Sequence, residues 1–188
     1  GLALRSHLHL DKARVILSID SDFLMTHPAS VKYSRDFAKL RRGEGDVMNR
    51  LYVIESGYSV TGACADHRLP LSNNQIVAFC FALAKELDSL GLAIIPKTSE
   101  FISNQLSQAI QGTDLQFLRL LAKDLLIHRG LSVVTAGFRL PPAIHALVLA
   151  INIALGSVGN TVSYTLEPDQ ERLTHLESIA KLTEDVKE

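Results

Sequence analysis

The chain has 188 residues, 47% of them hydrophobic and 21% charged, which is enough to bury a sizeable core. Its net charge of −1 and its lack of tryptophan argue against nucleic-acid binding, which needs surplus cations and stacking side chains. Two cysteines, Cys64 and Cys80, are too few for a disulfide framework or a four-thiolate cluster. Their apolar or small neighbours predict two buried free thiols.

Short, continuous apolar runs predict the strands of the protein. Three such runs occur, at residues 15–19, 51–54 and 131–135, and a fourth strand is predicted at residues 161–165. Strands that are apolar throughout, rather than alternating, are typical of a parallel sheet that helices cover on both faces.

Apolar residues at helical spacing predict helices between these strands. The helices cover approximately residues 31–41, 73–90, 114–129, 142–155 and 173–182. Residues 93–110 are ambiguous, since 93–95 suit a short strand and 101–110 a helix. The alternation of strands and helices predicts an α/β fold, a three-layer, Rossmann-like, mostly parallel sheet in a single domain over residues 1–188.

The longest apolar run, residues 143–155, is shorter than the roughly 20 residues that a membrane span requires. It predicts a buried core helix and no direct membrane span. The N-terminus has neither a signal peptide nor an initiator methionine, so we expect this chain to be part of a longer protein.

Ligands of an open parallel sheet bind beyond the carboxyl ends of its strands. The polar or small residues at these ends are Asp20 and Asp22, Glu55 and Ser56, Gly137, and Thr165 of the fourth predicted strand. An acidic residue in such a place can hold ribose hydroxyls. The alternative is that Asp20 and Asp22 cap a turn and that Glu55 is solvated.

Other motifs of catalysis or binding are weak. No glycine-rich or Walker-type phosphate loop is present. His7 and His9 have the spacing of metal ligands but no further ligands nearby, which predicts no metal site. The run Asp66-His67-Arg68 suggests acid–base chemistry, but no nucleophile stands beside it, so a structural hydrogen bond or an exposed loop is favoured. No catalytic residue is predicted.

The segment 53–71 resembles a stretch of the molybdopterin oxidoreductases that bind two pterin-guanine dinucleotides. That stretch is a strand followed by Asp-Pro, spaced threonines, Ala-Asp and Leu-Pro, and the resemblance covers roughly residues 11–180. A narrower similarity is to the molybdopterin-oxidoreductase-like iron–sulfur subunit of quinol:cytochrome c complexes, called alternative complex III. The segments that carry it are residues 17–24, 48–56, 65–70 and 136–146.

The departures from that family concern the cofactor. Active relatives have a Gly-Asn-like pair where this chain has residues 20–22, and Asp-Pro-Arg where it has residues 55–57. Their Pro-Gly-Thr-Asp, whose Asp helps to hold guanine, is replaced by residues 73–76, which end in Ile76. The change removes a charge-assisted hydrogen bond worth about 1.5–3 kcal/mol. The added acidic groups also repel a pyrophosphate.

The resemblance therefore implies a domain that kept the fold and lost its cofactor. What remains would be a shallow, vestigial cofactor pocket lined by Asp20, Asp22, Glu55, Ser56, Asp66 and Gly137. The domain itself would hold no metal and no molybdopterin guanine dinucleotide, the cofactor of active relatives.

The implied function is that of a non-catalytic structural and interaction domain in a membrane-associated respiratory electron-transfer complex. Its partners would be other domains of the parent polypeptide and neighbouring subunits. Iron–sulfur clusters would lie elsewhere in the parent protein, on the periplasmic side of a bacterial membrane. An alternative of another class remains open, the cofactor-binding lobe of an active molybdenum oxidoreductase that shares its dinucleotide with other domains. A free-standing nucleotide-binding module is a third, which the missing phosphate loop disfavours.

Overall fold

A computed structural model describes residues 4–42, 48–94, 114–169, 173 and 175–187. The chain forms two compact units. The larger unit runs from Leu8 to Ser163, and the smaller one combines residues up to His7 with residues from Tyr164 onwards. The single domain expected over residues 1–188 stays a prediction.

Six strands and six helices are described. The strands are β1 (Leu4–Leu8), β2 (Val15–Ile19), β3 (Arg50–Glu55), β4 (His67–Pro70), β5 (Ser132–Ala136) and β6 (Val162–Leu166). The helices are α1 (Ser30–Lys39), α2 (Val60–Ala63), α3 (Asn73–Ser89), α4 (Leu115–Ile127), α5 (Pro142–Ala154) and α6 (His175–Asp185).

The main sheet contains four parallel strands in the order β4-β3-β2-β5. Ile19 at the end of β2 is in register with Ile54 of β3 and with Ala136 of β5, so these strands end at one edge of the sheet. The chain leaves β2 towards β3 and β4 on one side and later returns to add β5 on the other. The topological switch point, where open α/β sheets bind ligands, is therefore between β2 and β5.

Helices bury the sheet because their apolar stripes face it. α3 directs Ile76, Phe79, Leu83 and Leu87 into the core, together with residues of α4 and α5. Its first turn is fixed by Gln75, whose Oε1 accepts hydrogen bonds from the backbone N–H and the hydroxyl of Ser72 at 3.0 and 2.8 Å. All five residues of β2 are buried, as expected for a strand that helices cover on both faces.

The predicted fold class is confirmed, because a four-stranded parallel sheet lies between helices. The expectation that the strand predicted at residues 161–165 joins this sheet is wrong. It forms β6, which pairs with β1 in a separate two-stranded sheet. Strand β4 was missed because its four residues, of which two are polar, form no apolar run. Of the ambiguous segment 93–110, residues 95–110 lie outside the described residues.

Within the part of the chain that the structure describes, no helix is both long enough and apolar enough to cross a bilayer.

The two cysteines differ, contrary to the prediction that both are buried. Cys80 is buried in α3, and desolvation raises the pKa of its thiol to about 12, whereas Cys64 is exposed at the end of α2. We expect a thiol reagent such as Ellman's reagent to modify one cysteine quickly in the native protein and two after unfolding in urea. Rapid modification of both cysteines in the native protein would contradict this arrangement.

Candidate functional site

Three of the predicted site residues meet at the carboxyl edge of the main sheet. The backbone N–H of Asp20 donates to the carbonyl oxygen of Ile54 at 2.7 Å, and that of Gly137 donates to Ile19 at 2.8 Å. The backbone N–H of Ser56 lies 3.4 Å from Oδ1 of Asp20, to which it donates. The segments that follow β2, β3 and β5 are therefore tied together around Asp20.

At the switch point between β2 and β5, the backbone of the turn after β2 contacts Gly137. Asp20 has a φ of +48°, in the left-handed region, which an aspartate tolerates better than most residues do. A Cβ atom on Gly137 would lie only 2.6 Å from the carbonyl carbon of Asp20. Position 137 therefore requires glycine because the turn after β2 packs directly against it.

Asp22 binds the short helix α2. Its Oδ1 accepts hydrogen bonds from the backbone N–H and the hydroxyl of Thr61, at 3.0 and 2.7 Å. The same hydroxyl oxygen accepts from the backbone N–H of Leu24 at 3.1 Å. The carboxylate thus joins the loop after β2 to α2, as expected for an aspartate that satisfies backbone donors at a turn.

Glu55, at the end of β3, is buried and bonded from several directions. Its side chain is only 5% exposed. Oε1 accepts from Nε of Arg68 at 2.6 Å, and Oε2 accepts from the hydroxyl of Ser59 at 2.5 Å. A Cβ atom on Gly62 would lie 2.6 Å from Cδ of Glu55. The alternative that Glu55 is solvated is therefore wrong, since its carboxylate fills the space beneath α2.

Arg68 completes this network from β4. Its Nη2 donates to the carbonyl oxygen of Gly57 at 3.2 Å, and its guanidinium lies 4.6 Å from the ring centroid of Tyr58. The pair Glu55–Arg68 therefore fixes the loop that follows β3 at both of its ends.

Asp66 does not lie with the other predicted residues. It immediately precedes β4, which runs parallel to β3, and it accepts from the backbone N–H of Leu51 at 2.7 Å. Leu51 lies near the beginning of β3, so Asp66 belongs to the opposite, amino edge of the sheet. There it forms an ion pair with Arg41. Burial opposes ionisation, but the hydrogen bonds from Arg41 and Leu51 outweigh it and lower the pKa of Asp66.

This shift has a consequence for acid stability. A lowered folded-state pKa means that the Asp66 carboxylate contributes stability above its unfolded pKa, and that this contribution is lost as the pH falls through the folded pKa. We expect D66N to lower the free energy of unfolding by about 1–2 kcal/mol at pH 7 and by less at pH 3. Urea unfolding at the two pH values measures this. An equal loss at both would show that the charge of Asp66 contributes nothing.

Sequence reasoning missed Arg68, Ser59 and Thr61 as partners of the predicted carboxylates. Arg68 was the one that a pattern could have revealed. In the register of β3 and β4 it lies opposite Val53, two residues before Glu55, and residues two apart on a strand share a face.

No metal site is found among the described residues, where no group of three or more metal-ligating side chains occurs. Nε2 of His7 is 2.8 Å from the hydroxyl of Thr165, and Nε2 of His9 is 2.9 Å from the hydroxyl of Ser163. Each histidine is therefore paired with a hydroxyl group.

The four parallel strands and the helices that cover them define a three-layer α/β domain with a Rossmann-like sheet. No protein-family profile matches the sequence, and no curated protein matches it. Among solved structures, the domain is similar to part of acetylene hydratase from Pelobacter acetylenicus, with a TM-score of 0.59 and 16% sequence identity. The match covers 88% of this chain and 24% of acetylene hydratase. At this identity the comparison shows a common fold.

Proposed function

We propose that this chain is a non-catalytic structural and interaction domain of the molybdopterin oxidoreductase type. Two independent observations support this proposal. The sequence resembles that family over the segments given above, and the fold is similar to part of acetylene hydratase, itself a molybdopterin enzyme. A shared fold does not establish an activity. The function is therefore inferred from the residues at the carboxyl edge of the sheet, where ligands of this fold bind.

The observation that carries the proposal is the filling of the carboxyl edge by the chain's own groups. Glu55 is held by Arg68 and Ser59 in the space beneath α2, and Gly137 packs against the turn at Asp20. Asp20 and Asp22 add negative charge where a dinucleotide would bring its pyrophosphate. The residues of this edge therefore do not fit a pterin-guanine dinucleotide.

The position that would recognise guanine also lacks the required chemistry. By resemblance, Ile76 stands where active relatives carry the guanine-binding aspartate, and here it is fully buried in the core on α3. The side chain of Gln75, the residue before it, accepts two hydrogen bonds from Ser72. Neither residue therefore presents a carboxylate to a ligand.

The wider setting is part of the same proposal. The chain would belong to a larger subunit of a membrane-associated respiratory electron-transfer complex, on the periplasmic side of a bacterial membrane. Iron–sulfur clusters would be carried by other parts of that subunit. The domain would hold its neighbours, and hence their redox centres, at fixed separations.

Exposed apolar residues of the loops and of helix α2 at the carboxyl edge supply a contact surface for these neighbours. Tyr58 and Val60 follow β3 and are 74% and 47% exposed, and Phe138 follows β5 and is 83% exposed. Aromatic side chains of this kind are enriched at the centres of protein interfaces. We call these three residues the edge cluster.

Hydrogen exchange tests this interaction role. The tagged chain is purified from its native host with its bound partners, and the same chain is expressed alone. We expect amides 57–60 and 137–140 to exchange at least about tenfold more slowly with partners bound. Amides in the buried part of α3 provide the control and should be unchanged. Equal exchange in both samples, or purification of the chain without partners, would overturn the interaction role.

A further inference from the structure

The acidic groups at the carboxyl edge differ in how their charge is balanced. Glu55 has the guanidinium of Arg68 as its counter-ion, and the carboxylate of Asp22 accepts two hydrogen bonds from α2. Among the residues that the structure describes, the carboxylate of Asp20 accepts a single hydrogen bond, a long one of 3.4 Å from the backbone N–H of Ser56. No ion pair of these described residues includes Asp20 or Asp22.

Two exposed aromatic rings belong to the loops on either side of Asp20. Tyr58 follows β3 and Phe138 follows β5, the two strands that flank β2 in the sheet. The residue two before Tyr58 donates to Asp20, and the residue directly before Phe138 packs against its backbone. The rings are 74% and 83% exposed, although an arginine of this chain lies 4.6 and 5.7 Å from their respective centroids. The open faces of such rings attract further cations.

A neighbour that covers the edge cluster also covers Asp20, because this residue lies between the loops that carry the cluster. This step rests on the proposed interaction role. To cover a carboxylate without a counter-charge is unfavourable. The two arginines of this edge do not supply that charge, since Arg68 already pairs with Glu55 and Arg139 forms no ion pair in the described part of the chain. The neighbour must therefore bring the cation.

We propose that the partner of the edge cluster places an arginine side chain on Asp20, between Tyr58 and Phe138. A guanidinium group suits this position because it binds a carboxylate and stacks on aromatic faces at the same time. Arginine and aromatic residues are also enriched together at protein interfaces. The surface that docks on this acidic edge is accordingly basic.

The partner fraction, released from the native complex by high salt, is titrated onto the purified chain to test this contact. D20N removes the charge but keeps an acceptor oxygen, and asparagine tolerates the φ of +48° at this position. We expect D20N to raise the dissociation constant about tenfold at low salt and to weaken its salt dependence. D88N, at an exposed aspartate near the carboxyl end of α3, provides the matched control and should bind like the original chain.

Phenylglyoxal, which modifies arginine side chains, tests the other side of the contact. Treatment of the partner fraction should weaken its binding to the original chain, and D20N should show little further loss. Urea unfolding of D20N, expected to match that of D88N, excludes misfolding as the cause. Equal binding by D20N and D88N, or undiminished binding of the treated partner, would overturn the arginine contact.

The double variant Y58A/F138A separates this inference from the proposed function. If Y58A/F138A weakens binding and D20N does not, the edge cluster is still an interface and the arginine contact alone is wrong. If neither variant weakens binding, the interaction role of this edge is wrong as well.

Discussion

R68A is expected to lower the free energy of unfolding by about 3 kcal/mol or more. Arg68 is the cationic partner of Glu55, whose side chain is only 5% exposed, so its removal leaves a buried carboxylate without its counter-ion. The same change frees the carbonyl oxygen of Gly57 and removes the stacking partner of Tyr58. Urea unfolding followed by circular dichroism measures the loss.

A second arginine–glutamate pair provides the control for R68A. Arg5 bonds its partner, Glu167, through two nitrogens, whereas Arg68 bonds Glu55 through Nε, and the side chain of Arg5 is 56% exposed. Exposed pairs contribute little, so R5A should cost at most about 1 kcal/mol. Losses of similar size in R68A and R5A would show that the Glu55 carboxylate is not held in a buried, charge-dependent position.

G137A is expected to destabilise the fold by about 3 kcal/mol or more. The added methyl group would lie 2.6 Å from the carbonyl carbon of Asp20, and its neighbours are backbone atoms, which cannot rotate away. To relieve the clash, the turn after β2 must separate from β5, which breaks the hydrogen bond between Gly137 and Ile19.

Gly57 provides the matched control for G137A. It lies at the same edge of the sheet, and a Cβ atom there would have no neighbour within 4 Å. G57A should therefore change stability by no more than about 0.5 kcal/mol. If G137A were as mild as G57A, the switch point would have room for a ligand, contrary to the proposed function.

The sequence predicted the main features of the fold because they depend on local patterns. The apolar runs at residues 15–19 and 51–54 became β2 and β3, since a strand that is buried on both faces must be apolar throughout. The stripe of α3 was equally clear, because its apolar residues recur at helical spacing and all face one core.

Elements at the margin of the fold were harder to predict. β4 pairs with β3, but two of its four residues are exposed and none is fully buried, so its sequence, His67 to Pro70, carries no apolar run. β6 was predicted as a strand, yet a local sequence pattern does not specify which strand it pairs with. Strand pairing depends on contacts that are distant in sequence.

The sequence predicted where most residues of the candidate site lie, but it did not predict which groups they bond to. Asp20, Ser56 and Gly137 do meet, because the carboxyl ends of parallel strands share one edge. Asp66 was grouped with them on the basis of a motif, and the direction of β4 places it at the other edge. The bonding of Glu55 depends on Arg68, a residue on an unpredicted strand.

Calorimetric titration of the purified chain with GDP tests the central claim most directly, since GDP carries the guanine and pyrophosphate of the dinucleotide. The filled carboxyl edge predicts a dissociation constant weaker than about 1 mM. The amide signals of Gly57 and Gly137 should also remain unshifted. Micromolar affinity, with saturable shifts at Gly57 and Gly137, would contradict the claim and favour the cofactor-binding lobe of an active enzyme.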